Sequence, residues 1–375
     1  MKTHLIFLSA MAVVLSSCNR LPNLMIAGPG DEPESYKDHQ FTNYFKSKTG
    51  WNAGDVGISV NLNNGKSLWV YGDSFTGQLD TATNTLPCLF NVRNAAVSMG
   101  IADPAQQQTH IGTGFIKSYF QLPSDQANDR WFWPGVGYTN GDTSYIFMGR
   151  VEATGTGGGF GFTEVDSQYV AKVYIPTMQV AGFIRMGPKN GIVFINGVIR
   201  EGSYNYVYGA KNNGMGRDII VARYPFNNIY AAWEYYNGSG WSANIMTAAG
   251  IHSEFTSSFD ILKLGGKYVM ITTELSTQCD QGNRIFTQTS DNPFGPFINK
   301  QTVWTLDDLK GGHTPFFYIA AAHPEYDNGN DELLITYSIN GYQPCLPICN
   351  SGRMDPDDYR PKAIRVPYKL IDSSL

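Results

Sequence analysis

Hydrophobic and polar residues alternate along most of the chain beyond residue 50, in short segments that are separated by turn residues. In the first segment, Ile58, Val60 and Leu62 alternate with smaller or polar residues, and this period of two is typical of a half-buried strand. Residues 63–66 (NNGK) then supply a turn, and residues 67–75 are rich in aromatic and β-branched side chains. The pattern therefore predicts a β-hairpin.

Two aspartates flank this hairpin. Asp55 lies nine to ten residues before the centre of the turn, and Asp73 lies eight to nine residues after it. Antiparallel pairing brings both to the same end of the hairpin. Two neighbouring carboxylates repel each other, which costs free energy unless they are solvated, ion-paired or part of a functional site. This hairpin is therefore the first candidate for a functional site.

The hairpin pattern recurs along the chain. Turn dipeptides at positions 64, 140, 196, 265 and 328 are separated by 76, 56, 69 and 63 residues, and each is followed by an apolar strand pattern. Further strand patterns lie at 94–100, 167–175, 218–223, 284–289 and 363–366. A repeating unit of this size is typical of a propeller blade. We therefore predict an all-β fold, a five-bladed β-propeller; a β-sandwich with coincidental turns is the alternative.

The N-terminus has the features of a targeting segment. Leu5 to Leu15 is apolar but too short to span a bilayer, and Leu15-Ser16-Ser17-Cys18 resembles a bacterial lipobox. We expect residues 1–18 to be a signal peptide, with Cys18 lipidated as the first mature residue. Residues 19–45 would form a tether and residues 46–375 a single propeller domain. This predicts a lipid-anchored protein of the bacterial cell envelope; the alternative is an ordinary signal peptide with an incidental cysteine.

Composition agrees with an all-β protein and argues against one class of partner. Of the 375 residues, 16% are charged, 13% are aromatic and 40 are glycine, which suits many short strands and tight turns. The net charge of −5 argues against nucleic acid as a partner, because its binding requires a basic face. The membrane would be contacted through the lipid anchor only.

Four cysteines follow Cys18, and export would permit disulfides. Cys345 and Cys349 are close enough in sequence to form a local bridge, and a pairing of Cys88 with Cys279 is also open. A zinc site made from these cysteines is not favoured, since no histidine stands at ligand spacing.

Propeller geometry brings the start of each first strand and the end of each second strand to one mouth of the central channel. Carboxylates, aromatic rings and hydrogen-bond donors occupy these positions. Aromatic faces stack on sugar rings, and charged groups hydrogen-bond to hydroxyls, so we expect a carbohydrate site there. The candidate substrate-binding residues are Asp73, Arg93, Trp131, Trp133, Arg150, His252, Glu274 and His323.

Glycoside hydrolysis requires two carboxyl groups that flank the scissile bond. Asp55 and Glu254 precede the first strands of units one and four, which face each other across the channel, so we predict them as the catalytic pair. Asp73 would orient the substrate or keep Asp55 ionised. Structural alternatives remain: a turn cap for Asp55, an ion pair for Glu254, and a core position for each tryptophan. Asp260 is expected to be structural or substrate-orienting.

Several stretches resemble a known group of proteins. Residues 51–75, RWFWPGVG, YVYGAKNNGMGRDIIVARYPF and SEFTSSFDILKLGGKYVMITTE resemble the five-bladed propellers once described as domains of unknown function 4185 and 5005. The former includes endo-D-arabinanases of glycoside hydrolase family 183. SDNPFGPF is similar to blade-closing segments of family 43 arabinanases. The resemblance covers residues 50 to 368 and implies a propeller that acts on furanose-containing glycans.

The resemblance also implies roles for particular residues. Family 43 propellers carry an Asp base, a second Asp that tunes a pKa and a Glu acid; Asp55 matches the first and Glu254 the last. The second Asp has no counterpart in RMGPKNG, and the insert after residue 340 departs from the arabinanases. We expect a monomeric, exported hydrolase that acts on an arabinan-like polysaccharide. The enzyme would require no cofactor, and a structural cation in the channel is an open alternative. The alternatives are a non-catalytic glycan-binding lipoprotein and a structural envelope protein.

Overall fold

The computed structural model describes residues 33–89, 91–155, 161–214, 216–341 and 346–375. Residues 34–375 form one compact unit, in which five antiparallel sheets follow one another around a central channel. The first strands of consecutive blades contact each other and line that channel. The predicted all-β, five-bladed propeller is therefore confirmed.

Each blade begins with its innermost strand. Blade 1 contains Ile58–Asn61, Lys66–Tyr71, Ala95–Gly100 and Gln107–His110; blade 2 contains Arg130–Asn140, Thr143–Ala153, Phe162–Tyr174 and Gln179–Gly187. Blade 3 contains Ile192–Glu201, Tyr204–Asn213, Gly216–Pro225, Glu234–Tyr236 and Trp241–Ser242, with His252–Glu254 also paired to its third strand. Blade 4 contains Phe259–Leu264, Lys267–Thr273, Arg284–Ser290 and Ile298–Thr305. Blade 5 contains Phe316–Ala322, Glu332–Asn340, Lys362–Pro367 and Tyr36–Lys37.

Short elements complete the molecule. Trp51–Gly54 pairs with Ser74–Thr76, and Leu86–Pro87 pairs with Arg353–Met354. The helices are His39–Tyr44, Tyr368–Ile371 and the 3₁₀ turns Pro123–Ala127, Ile245–Thr247, Pro324–Tyr326 and Pro356–Asp358. Within the described ranges, every helix is too short or too polar to cross a membrane.

The N-terminal segment closes the ring. Tyr36 and Lys37 pair with Arg365 and Ile364, and so add an outer strand to blade 5. Asp38 caps the helix that follows and accepts a hydrogen bond from Arg365 at 2.9 Å. The predicted tether is therefore wrong for residues 36–45, because Tyr36 and Lys37 pair with the edge of the last blade and the helix His39–Tyr44 packs against the same blade. The rest of the predicted tether up to residue 32, and the signal segment with Cys18, lie outside the described residues.

Glycines on the innermost strands allow neighbouring blades to approach closely. A Cβ at Gly135 would lie 2.5 Å from the carbonyl oxygen of Ile195, and one at Gly197 would lie 2.7 Å from that of Ile261. The turn predicted at Asn196-Gly197 is wrong for this reason: these residues lie inside a strand and contact the next blade. The hairpin of blade 3 turns after Glu201 instead, whereas the other predicted turn positions lie between paired strands.

A disulfide joins the loop after residue 340 to blade 1. Cys88 is bonded to Cys349, next to the strand pair formed by residues 86–87 and 353–354. The predicted Cys345–Cys349 and Cys88–Cys279 bridges are therefore wrong. Cys279 is disulfide-bonded as well, and Cys345 lies outside the described residues. Sequence proximity failed as a guide because blades 1 and 5 are neighbours in the closed ring.

Candidate active site

One opening at the channel mouth, about 540 Å³ in volume, is lined by residues from all five blades. The predicted residues Asp55, Asp73 and Trp133 line it, together with Asp260. Its size lies in the range of small-ligand pockets. The other lining residues used below are Phe162, Glu164, Val193, Asn212, Arg217, Phe316, Tyr318, Ile319, Asn340 and Tyr359.

Asp55 lies just before the innermost strand of blade 1, where two tyrosines reach it from the neighbouring blade. Tyr318 and Tyr359 each donate a hydrogen bond to Asp55 Oδ2, at 2.7 and 2.8 Å. Burial raises the pKa of Asp55 to about 7, with a further contribution from the negative charge of Asp73, while the tyrosine hydrogen bonds act in the opposite direction. A substantial fraction of Asp55 is therefore protonated at neutral pH.

Asp73 is the second carboxyl of the pair and has a different environment. Its Oδ1 lies 3.4 Å from Arg93 Nη1, and about one fifth of its side chain is exposed. Arg93 is held by a hydrogen bond to Asn128 (2.9 Å) and lies 4.3 Å from the ring centre of Trp131. Burial raises the pKa of Asp73, and the nearby Arg93 offsets this effect only in part. The sequence analysis offered Asp73 as a group that keeps Asp55 ionised. The structure indicates the opposite, because a negative charge on Asp73 favours the protonated form of Asp55.

The backbone beside this pair is strained. Val56, which follows Asp55, has φ 73°, and Ile319, which follows Tyr318, has φ 49°. Positive φ is unusual for β-branched residues and costs free energy that the surrounding structure must supply. Gly72 is also constrained, because a Cβ there would collide with Asp55 Oδ1. Such strain concentrates at functional sites, and here it flanks the contact between Asp55 and Tyr318.

Aromatic rings form much of the remaining wall. Trp133 packs against Phe162, with ring centres 4.6 Å apart, and Phe316 stacks on Tyr318 at 4.5 Å. Asn340 donates to Tyr318 Oη at 3.1 Å, which orients the hydroxyl toward Asp55. The cavity thus offers apolar ring faces beside a few fixed polar groups, the usual composition of a carbohydrate or small-ligand site.

Asp260 is a third carboxyl on the cavity wall. Burial raises its pKa to about 7, although it accepts hydrogen bonds from the backbone N–H groups of Ala322 (2.8 Å) and Ile261. Because one of these donors belongs to blade 5, Asp260 ties two blades together. This agrees with the structural role that the sequence suggested for it.

Glu254 does not line the cavity, contrary to the prediction. The strand His252–Glu254 pairs with Arg217–Ile219 on the third strand of blade 3, and Glu254 is not among the residues that line the cavity. Glu254 bonds to Lys300 at 2.8 Å and to His252 at 3.1 Å. Although burial acts to raise its pKa, these contacts and Gln288 lower it to about 2. A proton donor requires the opposite shift, so the geometry does not support the Asp55–Glu254 pair.

Three more of the predicted substrate-binding residues are engaged elsewhere. Arg150 forms a buried bidentate ion pair with Asp125, at 2.5 and 2.8 Å. Glu274 pairs with Arg284 at 2.7 Å. His323 is fully buried and stacks on Trp69 with ring centres 4.2 Å apart, and burial lowers its pKa to about 3.

None of these three lines the cavity in the described part of the chain. The same is true of His252, the partner of Glu254, and of Trp131, which is buried beneath Arg93. Strand order was the basis on which these residues were predicted to face the channel. It did not distinguish side chains that face the channel from those that face another blade.

Tyr359 is the residue that sequence reasoning missed. It follows the insert after residue 340, which carries no strand pattern. Its position depends on the Cys88–Cys349 bridge and on the hydrogen bond from Gly54 N–H to the Tyr359 carbonyl, at 3.0 Å. Tyr318 and Asn340, by contrast, stand at blade ends that the pattern located. Among the residues described, no cluster of three or more His, Cys, Asp or Glu is arranged to hold a metal ion.

Comparisons with known proteins agree with the fold. A family model described as "Domain of unknown function (DUF5005)" matches residues 38–368. A candidate hydrolase from Bacteroides ovatus ATCC 8483 has a similar structure, with TM-score 0.72 and 19% identity over 90% of this chain and 93% of that one. No curated protein matches the sequence.

Two further solved structures are more distant. An exo-1,5-α-L-arabinanase from a bovine ruminal metagenomic library has TM-score 0.45 and 9% identity, over 84% of this chain and 93% of that one. A GH43_1 enzyme from Xanthomonas citri, complexed with xylotriose, has TM-score 0.45 and 14% identity over 89% of each chain.

Proposed function

This chain belongs to the DUF5005 family, and we propose that it is a glycoside hydrolase that acts on a furanose-containing polysaccharide such as an arabinan. The observation that carries the proposal is the carboxyl pair at the channel mouth. Asp55 has a pKa raised to about 7, and Asp73 beside it is paired with Arg93. Two carboxyls with different environments are the requirement for acid–base cleavage of a glycosidic bond.

We assign a role to each carboxyl from its environment. Asp55 is the general acid: it is protonated near neutral pH and gives its proton to the leaving oxygen as the glycosidic bond breaks. Asp73, whose carboxylate form is favoured by the ion pair with Arg93, attacks the anomeric carbon or activates a water molecule to do so. Tyr318 and Tyr359 hold Asp55 Oδ2, which leaves Oδ1 to carry the transferable proton.

The sugar class is inferred from the walls of the cavity and from the sequence resemblance. Trp133, Phe162 and Phe316 provide ring faces on which sugar rings can stack. The resemblance to the endo-D-arabinanase group favours a furanose. The test is a reducing-sugar assay of the purified protein on a panel of arabinans, fructans and xylans. Release from an arabinan supports the proposal, and absence of release from every polysaccharide contradicts it.

One observation favours a second candidate function, glycan binding without cleavage. The ion pair with Arg93 occupies one oxygen of Asp73, and a carboxylate held in this way can serve as a hydrogen-bond acceptor for sugar hydroxyls. A binding protein would retain arabinan in affinity electrophoresis and release no reducing ends. A hydrolase would do both, or would show release alone.

We further propose that the protein is anchored in the cell envelope through a lipid on Cys18. The small-small-Cys sequence that ends the apolar N-terminal segment supports this. Expressed in a bacterial host, the full chain should incorporate labelled palmitate and sediment with membranes, and Cys18→Ser should do neither. Equal labelling of the two proteins would contradict the anchor.

The assignment of Asp55 predicts the pH dependence of the reaction. The acid must be protonated, so kcat/KM should fall as the pH rises through about 7. Tyr359→Phe removes a hydrogen bond that lowers the pKa of Asp55, so this descending limb should move to higher pH. Initial rates of arabinan hydrolysis across the pH range would measure the shift.

A second tyrosine provides the control. Tyr337 is also buried and donates to a carboxylate, Asp308 Oδ2, at 2.6 Å, but it does not line the cavity. Tyr337→Phe should leave the descending limb in place. An identical limb in wild type and Tyr359→Phe would show that Asp55 is not the titrating acid.

A further inference from the structure

A polar groove opens from the catalytic cavity between blades 2 and 3. It has a volume of about 380 Å³ and is lined by residues 162–168 of blade 2 and by Gly191, Ile192, Val193, Asn212 and Arg217 of blade 3. Five residues line both spaces, so the groove and the cavity are continuous: Phe162, Glu164, Val193, Asn212 and Arg217.

Opposite charges line this groove without neutralising each other. Glu164 and Asp166 project from the third strand of blade 2, and Arg217 lies on the third strand of blade 3. Within the described ranges, neither Glu164 nor Arg217 forms an ion pair within 4.0 Å. Asp166 accepts one hydrogen bond, from the Lys189 backbone N–H at 2.7 Å. The groove therefore keeps charged donors and acceptors available to a ligand.

A neutral, hydroxyl-rich ligand fits this arrangement. Each hydroxyl both donates and accepts, so a sugar residue can donate to Glu164 on one wall and accept from Arg217 on the other. Hydrogen bonds to charged groups are among the stronger ones. The Phe162 ring, packed against Trp133, lies where the groove joins the cavity and offers an apolar face for stacking.

We propose that this groove is a distal subsite that binds the glycan chain beyond the residue whose bond is cleaved, with Arg217 as its specificity-determining residue. The inference rests on the proposed function, since it takes the occupant of the groove to be a continuation of the chain in the cavity. It requires the protein to prefer long chains over short ones. Short oligosaccharides would occupy the part of the cavity beside Asp55 and would gain less from Arg217, which lies where the cavity meets the groove.

The test compares arabino-oligosaccharides from the disaccharide to the hexasaccharide as substrates of the wild type, Arg217→Ala and Glu164→Gln. For the hexasaccharide, kcat/KM should fall about ten-fold or more in Arg217→Ala, the loss expected for a hydrogen bond to a charged group. The loss should be smaller for the shortest cleaved substrate, and Glu164→Gln should show the same dependence on chain length. Arg185→Ala, an exposed position on the outer strand of blade 2, is the matched control and should change neither value.

The result that would contradict the subsite differs from the result that would contradict the proposed function. If the wild type is active but Arg217→Ala affects all chain lengths equally, or none, the subsite is wrong and the hydrolase proposal stands. If the wild type cleaves no oligosaccharide, the proposed function fails, and calorimetric binding of the hexasaccharide tests the groove directly. An affinity about ten-fold weaker in Arg217→Ala but not in Arg185→Ala then supports the subsite, and equal affinities overturn it.

Discussion

Asp55→Asn and Asp73→Asn should each reduce arabinan hydrolysis by about 1,000-fold or more while the protein remains folded. Asparagine is nearly isosteric with aspartate, but it neither gives up a proton as an acid nor acts as an anionic base or nucleophile. Asp73→Asn also removes a negative charge that contributes to the raised pKa of Asp55, so it lowers the pKa of the acid as well. Reducing-end release by the purified variants measures the loss, and circular dichroism and thermal unfolding verify the fold.

Glu254→Gln is the decisive control for this experiment. The sequence predicted Glu254 as the second catalytic carboxyl, whereas the structure pairs it with Lys300 and His252 outside the cavity. We expect the glutamine variant to retain the turnover of the wild type. Loss of activity in Glu254→Gln, with retention in Asp73→Asn, would restore the original pair and refute the assignment made from the cavity.

Arg150→Met should lower the free energy of unfolding by about 3–5 kcal/mol, because it leaves Asp125 buried and unpaired. The side chains of Arg150 and Asp125 are only 6% and 2% exposed. Arg150 also lies over the ring of Phe132, 4.4 Å from its centre, so its removal loses packing as well as charge. Urea unfolding of the variant and of the wild type, both followed by tryptophan fluorescence, gives the difference in their free energies of unfolding.

Arg130 provides a matched comparison in the same blade. It forms an ion pair with Glu152 at 3.0 Å, but its side chain is 57% exposed, so Arg130→Met should cost less than about 1 kcal/mol. Folded Arg150→Met should keep the kcat/KM of the wild type, because Arg150 does not line the cavity. A large increase in KM without loss of stability would instead support the substrate-binding role that the sequence suggested.

The repeated alternation of apolar and polar residues was sufficient to predict five blades. Periodicity is a local property, and it determines which residues form strands and which side of a strand is buried. The hairpin of residues 54–77 illustrates this: pairing across a short turn brings Asp55 and Asp73 to one end, and both line the cavity. Contacts of this kind are determined within some twenty residues of chain, about the span of one hairpin.

The partners of that pair could not be derived in the same way. Tyr318 and Tyr359 reach Asp55 across 263 and 304 residues of sequence, and their meeting depends on ring closure and on the Cys88–Cys349 bridge. Glu254 stands at a blade end as predicted, yet its strand joins the third strand of blade 3 rather than the channel wall. Position along a strand follows from local pattern. The choice of which polar groups face the channel, and which pair with one another behind it, follows from packing between blades, and only the tertiary structure decided it.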